Sequence, residues 1–178
     1  MVDLTEYISK ESKRIYIFLD IDGVLNNENY IVKCYERHHK PMHMNHVPFD
    51  PVCLENLMTL TQTLERDGFE ISIILSSTWR LHEIDYEIVD ARLAEYGMCL
   101  CGKTPYEGSV RGKEIKQYLD DIRYKCYNFI ILDDDIKDIE PYFPNNLVRT
   151  NFKTGFTEDC LNMCLNMCLK LIYKEGRS

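Results

Sequence analysis

Two aspartates one residue apart close an apolar run in Ile17-Phe18-Leu19-Asp20-Ile21-Asp22-Gly23-Val24-Leu25-Asn26, and Gly23 gives the backbone the freedom for a sharp turn directly after them. A second apolar run ends in acids as Ile130-Ile131-Leu132-Asp133-Asp134-Asp135, and a third ends in hydroxyls as Ile74-Leu75-Ser76-Ser77-Thr78. Several carboxylates in one crevice repel one another unless a cation joins them. A hard divalent ion with oxygen ligands, Mg²⁺ keeping several waters, meets that demand. Such an ion makes an anionic substrate sensible, because the metal and a nearby Arg or Lys can hold a phosphoryl group among the acids. Arg111 and Lys113, just ahead of a helical apolar face, are the candidates for that basic group, and the helix N-terminus adds donor N–H groups.

For these groups to meet, the runs that carry them must lie side by side. Five short apolar runs, Ile15–Leu19, Phe69–Leu75, Met98–Cys101, Tyr127–Leu132 and Leu147–Thr150, alternate with helix-like segments. This alternation predicts an α/β fold, a Rossmann-like three-layer sandwich with a central parallel sheet. In a parallel sheet the carboxyl ends of all strands share one edge, and ligands bind in the crevice there. Asp50-Pro51 opens a helix whose apolar face is Leu54, Leu57, Met58 and Leu64, closed by Asp67-Gly68. Ile84, Ile88, Val89 and Leu93 form a second face ahead of Gly97, and Ile115, Tyr118, Leu119 and Ile122 a third. A last helix starts near Thr157 and runs through Lys170. No linker rich in Pro, Gly or Ser divides the chain, so residues 1–178 are expected to form a single domain. Between Leu81 and Val110 there is room for one helix and a weak strand, too little for a large cap.

The segment Asn26 to Phe49 breaks the pattern: it is polar and holds Cys34, His38, His39, His43 and His46. A loop this long inside a compact domain is usually functional, so residues 26–50 are expected to form a small lid over the end of the first strand. These residue types ligate zinc, but their spacing matches no standard pair arrangement, and no zinc is expected. Cys160, Cys164 and Cys168 recur every four residues and read as a core stripe of the last helix. Cys99 and Cys101 are too close for a dithiol redox pair, and Trp79 reads as packing. With 29 acidic against 21 basic residues, the net charge of −8 disfavours nucleic-acid binding through bulk charge, though a local basic groove is compatible with it. No run resembles a signal peptide or reaches bilayer length, so a cytoplasmic or nuclear protein with reduced cysteines is expected, neither secreted nor membrane-bound.

Asp20-Ile21-Asp22-Gly23-Val24-Leu25, Ser76, a basic residue opening a helix, and Asp133-Asp134 resemble, in order, the four motifs of the haloacid dehalogenase (HAD) superfamily of phosphohydrolases. Leu75-Ser76-Ser77-Thr78-Trp79-Arg80, Arg111-Gly112-Lys113-Glu114-Ile115 and Ile131-Leu132-Asp133-Asp134-Asp135 are similar, more narrowly, to the HAD-type domain of Swiss Army Knife RNA repair proteins. The resemblance spans about Ile15 to Thr157. It implies that Asp20 is the nucleophile that forms an aspartyl phosphate and that Asp22 is the general acid and base. Mg²⁺ would then be held by Asp20, the carbonyl of Asp22 and Asp134, with Asp133 and Asp138 supporting those ligands from behind. Ser76 and the backbone near Ser77 would cradle the phosphoryl oxygens. Arg111 fits the third-motif cation better than Lys113, and Arg80 either contacts a substrate phosphate or braces its loop. The implied substrate is a phosphorylated one, with a nucleic-acid terminal phosphate as the leading specific form. The alternatives are a phosphatase of nucleotides, small metabolites or phosphoproteins, and a non-catalytic binding or regulatory module that keeps the fold.

Overall fold

In the computed structural model, residues 13–38, 48–108, 110–122 and 128–175 are described. Strand β1 (Arg14–Leu19) is apolar on both faces and buried from Ile15 onward, which suits only the middle of a sheet covered on both sides. It is flanked by β2 (Glu70–Leu75) and β4 (Asn128–Asp133), with β3 (Leu100–Lys103) and β5 (Leu147–Arg149) outside them, in the order β3-β2-β1-β4-β5. All four pairings are parallel. The chain winds outward from β1 through β2 to β3, then returns to the other side of β1 for β4 and β5. The winding therefore reverses between β1 and β4, and in open parallel sheets the ligand crevice opens at that point.

The helices are α1 (Glu28–His38), α2 (Pro51–Arg66), α3 (Glu83–Ala94), α4 (Arg111–Asp121) and α5 (Glu158–Glu175). Ile15, Ile17 and Leu19 of β1 pack with Leu57 and Leu60 of α2, Val89 and Leu93 of α3, and Cys160 and Cys164 of α5. Tyr16 and Phe18, which alternate with them, face Ile115 and Leu119 of α4 together with Ile139. The cysteine stripe of α5 thus serves as small apolar core surface, as its spacing predicts. Asp50 caps α2 by accepting from the Val52 N–H at 3.0 Å, with Pro51 at the first helical position. Ile84 departs from expectation: it lies in the first turn of α3 and is 63% exposed, so the buried face is carried by Val89 and Leu93.

Two boundaries differ from the sequence reading for local reasons. The third strand begins at Leu100 rather than Met98 because the Met98 N–H reaches back to the Leu93 carbonyl at 3.0 Å and closes α3, with Gly97 at φ 73°. The segment after β1, read as a loop, carries α1. Asn27 caps it by accepting from the Tyr30 N–H at 2.9 Å, and the free N–H groups of Glu28 and Asn29 donate to the carbonyls of Phe152 and Lys153. Val32 and Tyr35 of this helix stay exposed, and Tyr30, Ile31 and Cys34 are only half-buried. His39, His43 and His46, with the side chain of His38, lie outside the described residues, as does Tyr127. Among the described residues no helix is long and apolar enough to cross a membrane.

The start of α4 is pinned by close approach. A Cβ at Gly112 would collide with the carbonyl oxygen of Asp138 and the ring of Tyr142. Gly112→Ala must therefore push α4 away from the loop after β4, and it is expected to lower stability by about 1–3 kcal/mol, the usual range for overpacking. A urea-unfolding series compared with wild type measures this.

Candidate active site

The carboxyl ends of β1 and β4 bring Asp20, Asp133 and Asp134 together, with one carboxylate oxygen from each lying within 4.8 Å of the others. Asp20 is fixed by its backbone, whose N–H donates to the Leu132 carbonyl at 3.0 Å across the β1–β4 pairing. Arg111, the first residue of α4, inserts Nη1 between two of these acids, 2.9 Å from Asp20 Oδ1 and 2.6 Å from Asp133 Oδ2. Its helix end is aimed there by Asp138, whose Oδ2 accepts from the Arg111 N–H at 2.8 Å. Asp133 Oδ1 also accepts from the Asp135 N–H at 2.9 Å. Asp134 lies over Gly23, where an added Cβ would come within 2.5 Å of Asp134 Cγ. Gly23 is at φ 73°, so the turn and the space for Asp134 both require glycine.

One guanidinium cannot neutralise three carboxylates. Burial, and then the charge of Asp20, push Asp133 up to about 7 even though Arg111 pulls the other way. Asp134 is raised by the same two causes. Arg111 loses hydration by burial, but Asp20 and Asp133 outweigh that loss and its pKa is raised, so it stays charged. Buried oxygen donors with surplus negative charge suit a hard divalent cation. Asp133 thus lies beside Asp20 and Asp134, with Oδ2 engaged by Arg111 and Oδ1 by the Asp135 N–H.

Asp22 stands outside that trio. Its Oδ1 accepts from Asn26 Nδ2 at 2.8 Å and its Oδ2 from the Trp79 indole N–H at 3.0 Å, which fixes the orientation of the carboxylate. The Trp79 ring is itself set edge-on against Phe49, with centroids 5.6 Å apart. Trp79 is thus more than packing, and only the tertiary structure reveals its bond to an acid 57 residues away. Ser76, at the end of β2, donates its N–H to the Leu19 carbonyl at 2.9 Å and buries a hydroxyl that has no partner among the described residues. A buried hydroxyl without a partner, beside the acid-bearing turn, is a donor awaiting a ligand. The Ser77 side chain is engaged in its own loop, its Oγ accepting from the Trp79 N–H at 3.5 Å and capping the 3₁₀ turn Thr78–Leu81.

Arg80 takes the second of its two expected places, and Lys113, the alternative to Arg111, stands apart from the acids. Arg80 is buried, and its guanidinium donates to the carbonyls of Ser76, Ser77, Thr104 and Pro105 and pairs with Glu114 at 2.5 Å. Every donor nitrogen is occupied, so Arg80 braces the loop and offers nothing to a substrate phosphate. Burial lowers its pKa, against the opposing pull of Glu114. Glu114, which sequence reasoning passed over, is fully committed to this brace, its other oxygen accepting from the Glu107 N–H at 3.1 Å. Lys113 is exposed and does not enter the acid cluster. Two residues along a helix turn the side chain to the opposite side, so Arg111 and Lys113 cannot both face the same acids.

Stability is expected to depend on pH, and on Mg²⁺ if the acids hold it. The raised Asp133 keeps its proton in the folded chain at pH values where the unfolded chain, with an ordinary value of 3.8, has lost it. Its contribution therefore falls as pH rises from about 4 to 7 without metal. Mg²⁺ at about a hundredfold above its dissociation constant should add about 2.7 kcal/mol. For a domain of this size that raises the melting temperature by roughly 5–10 °C. The gain is expected at pH 8 and should shrink at pH 5, where protons compete for the same oxygens. Melting curves with Mg²⁺ and with EDTA at both pH values check it; equal gains would contradict it.

The profile of the HAD domain in Swiss Army Knife RNA repair proteins matches residues 16–161, most of the chain. No match is found among curated proteins. Among solved structures, the chain is similar to a putative 3-deoxy-D-manno-octulosonate 8-phosphate phosphatase from Vibrio cholerae. The sequence identity is 16%, the TM-score 0.45, and the alignment covers 95% of this chain and 89% of that one. The family match covers the turn that bears Asp20 and Asp22, the Ser76 loop, the start of α4 and the acids after β4. The chain belongs to the HAD superfamily of phosphatases, in the family of HAD domains found in Swiss Army Knife RNA repair proteins.

Proposed function

We propose that the chain is a Mg²⁺-dependent phosphomonoester hydrolase that works through an aspartyl phosphate on Asp20 and removes terminal phosphates from nucleic-acid ends. The observation that carries the reading is the meeting of Asp20, Asp133, Asp134 and Arg111 at the reversal point of the sheet. Asp20, the Asp22 carbonyl and Asp134 would hold the ion, with Asp133 behind them, and the ion when bound supplies positive charge to the phosphoryl oxygens. Arg111 holds the Asp20 carboxylate in place as the nucleophile. Asp20 attacks phosphorus, the ester P–O bond breaks, and Asp22 gives a proton to the departing oxygen. Asp22 then takes a proton from the water that cleaves the aspartyl phosphate, which releases phosphate and restores Asp20. The unpartnered Ser76 hydroxyl donates to a phosphoryl oxygen as charge builds there.

A nucleic-acid end as substrate is supported by the family to which the chain belongs and by the shortness of the stretch between the Ser76 loop and α4. Between the Ser76 loop and α4 lie only α3 and the short β3, and α3 is committed to the core through Val89 and Leu93. A polymer end can approach where no separate cap domain intervenes.

Asp20→Asn is expected to abolish turnover and the acid-stable protein-bound ³²P signal of a quenched reaction. Asp22→Asn should lower kcat by about 10²–10⁴-fold, the range of general acid–base catalysis. Trp79→Phe keeps the ring against Phe49 and deletes the N–H that positions Asp22. A hydrogen bond to a charged group is worth about 1.5–3 kcal/mol. The variant should therefore lose roughly 10- to 100-fold in kcat on an alkyl phosphate, which needs its leaving group protonated, and much less on p-nitrophenyl phosphate. Equal losses on both would show that Trp79 acts through packing alone. A panel of 3′- and 5′-phosphorylated oligonucleotides beside small phosphoesters tests the substrate.

A further inference from the structure

Resting on the phosphatase reading above, we infer that the cleft between Asp134 and the segment after β5 is the leaving-group site, and that it takes a nucleotide, with a base on Phe152 and a backbone phosphate at Arg149. The cleft has a volume of about 600 Å³, far more than a phosphoryl group needs and within the range of small-molecule sites. Asp134 belongs both to its lining and to the acid cluster, so the cleft adjoins the cluster at that residue.

The lining is unusual for a chain of net charge −8: Asp134 is its one carboxylate, and it brings together Arg149, Thr150, Asn151, Phe152 and Thr157. Arg149 is exposed, with no ion pair to any described residue, which leaves its guanidinium for a ligand. The Phe152 ring is 50% exposed on a backbone that is held firmly, since the Phe152 carbonyl accepts from the Glu28 N–H at 2.9 Å and the Gly155 N–H donates to the Asn151 carbonyl at 2.8 Å. A fixed, solvent-facing aromatic ring is a stacking platform. The Thr150 hydroxyl, in a residue only 4% exposed, has no partner among the described residues. A buried hydroxyl is seldom left unpaired, and a sugar hydroxyl of the ligand would complete it. Aromatic face, free cation and sugar-sized hydrogen-bond partner are together the chemistry of a nucleotide. A phosphosugar would use the hydroxyls alone and leave Phe152 and Arg149 idle.

The test compares wild type, Phe152→Ala, Arg149→Gln and Thr150→Val in the full chain. The quantity read is the ratio of kcat/KM for a 3′-phosphorylated dinucleotide to that for acetyl phosphate, whose leaving group is too small to span the cleft. The ratio is expected to fall at least tenfold in Phe152→Ala and in Arg149→Gln, mostly through KM. Binding of a labelled, dephosphorylated tetranucleotide, read by fluorescence anisotropy, should weaken by a similar factor, a readout independent of turnover. Unchanged ratios and unchanged anisotropy would overturn the inference. So would wild-type turnover of a phosphosugar or a phosphoserine peptide with the same Phe152 dependence and none of the dinucleotide. Absence of turnover for every phosphoester, with nucleotide binding still lost in the variants, would instead defeat the hydrolase reading and leave the nucleotide site standing.

Discussion

Carboxylates gathered at one sheet edge repel one another, and much of the architecture around the site answers that repulsion. Asp20 and Asp133 arrive at the same place because β1 and β4 are hydrogen-bonded neighbours whose carboxyl ends coincide, so their proximity is a consequence of register rather than of mutual attraction. Arg111 is the fold's own countercharge, and its placement shapes the structure around it. Gly112 lets α4 approach the loop after β4, and Asp138 from that loop receives the Arg111 N–H and sets the helix end. Remove the need to hold Arg111 between two acids and neither contact has an evident purpose. Burial first, and then the charge of Asp20 that Arg111 leaves uncompensated, push Asp133 up to about 7, and such a site suits a divalent cation.

A second buried charge pair, Arg80 with Glu114, sits behind the first and has a different role. Buried ion pairs rarely add much net stability, because both partners give up hydration. This one is saturated: Arg80 also serves four carbonyls and Glu114 a backbone N–H, so the loop carrying Ser76, Ser77 and Trp79 is tied both to the end of β3 and to α4. The network converts three separate chain segments into one rigid support. Ser76 can then keep an unpaired hydroxyl, and Trp79 can hold Asp22, because the loop has little freedom to collapse onto either.

How much of this was legible depends on whether a residue's role is set by its own element or by a distant one. Asp20, Asp133 and Ser76 end apolar runs, and a parallel sheet sends the ends of such runs to one rim, so their meeting follows from sequence pattern and topology. The three cysteines of α5 and the leucines of α2 follow from helical periodicity. Arg80 and Trp79 sit in a short 3₁₀ turn, and their roles are defined by Glu114 and Asp22, far along the chain. Their residue types fit contact with substrate as well as contact with protein, and only the folded geometry decides. Helix α1 is polar overall, is tied down at its first turn by the Phe152 and Lys153 carbonyls, and buries none of residues 28–37 fully, so its length and polarity read as a loop.

The electrostatics also constrain how an anionic substrate is held. Arg111 already serves two carboxylates, Arg80 is saturated and Lys113 faces solvent, so the acid cluster itself offers no uncommitted cation among the described residues to a phosphoryl group. In the proposed reaction that charge must come from the ion, while the rest of the substrate is gripped elsewhere. Arg149, although its backbone is the β5 neighbour of Asp133, is exposed, lines the cleft and makes no ion pair with any described residue, which suits it to that second grip. If the substrate is a nucleic-acid end, as proposed, separating the catalytic charge from the binding charge would let a chain with net charge −8 take it without a basic surface, since only one or two phosphates need to be met. The same separation implies that affinity for a longer nucleic acid should depend only weakly on salt, because few counterions are released on binding.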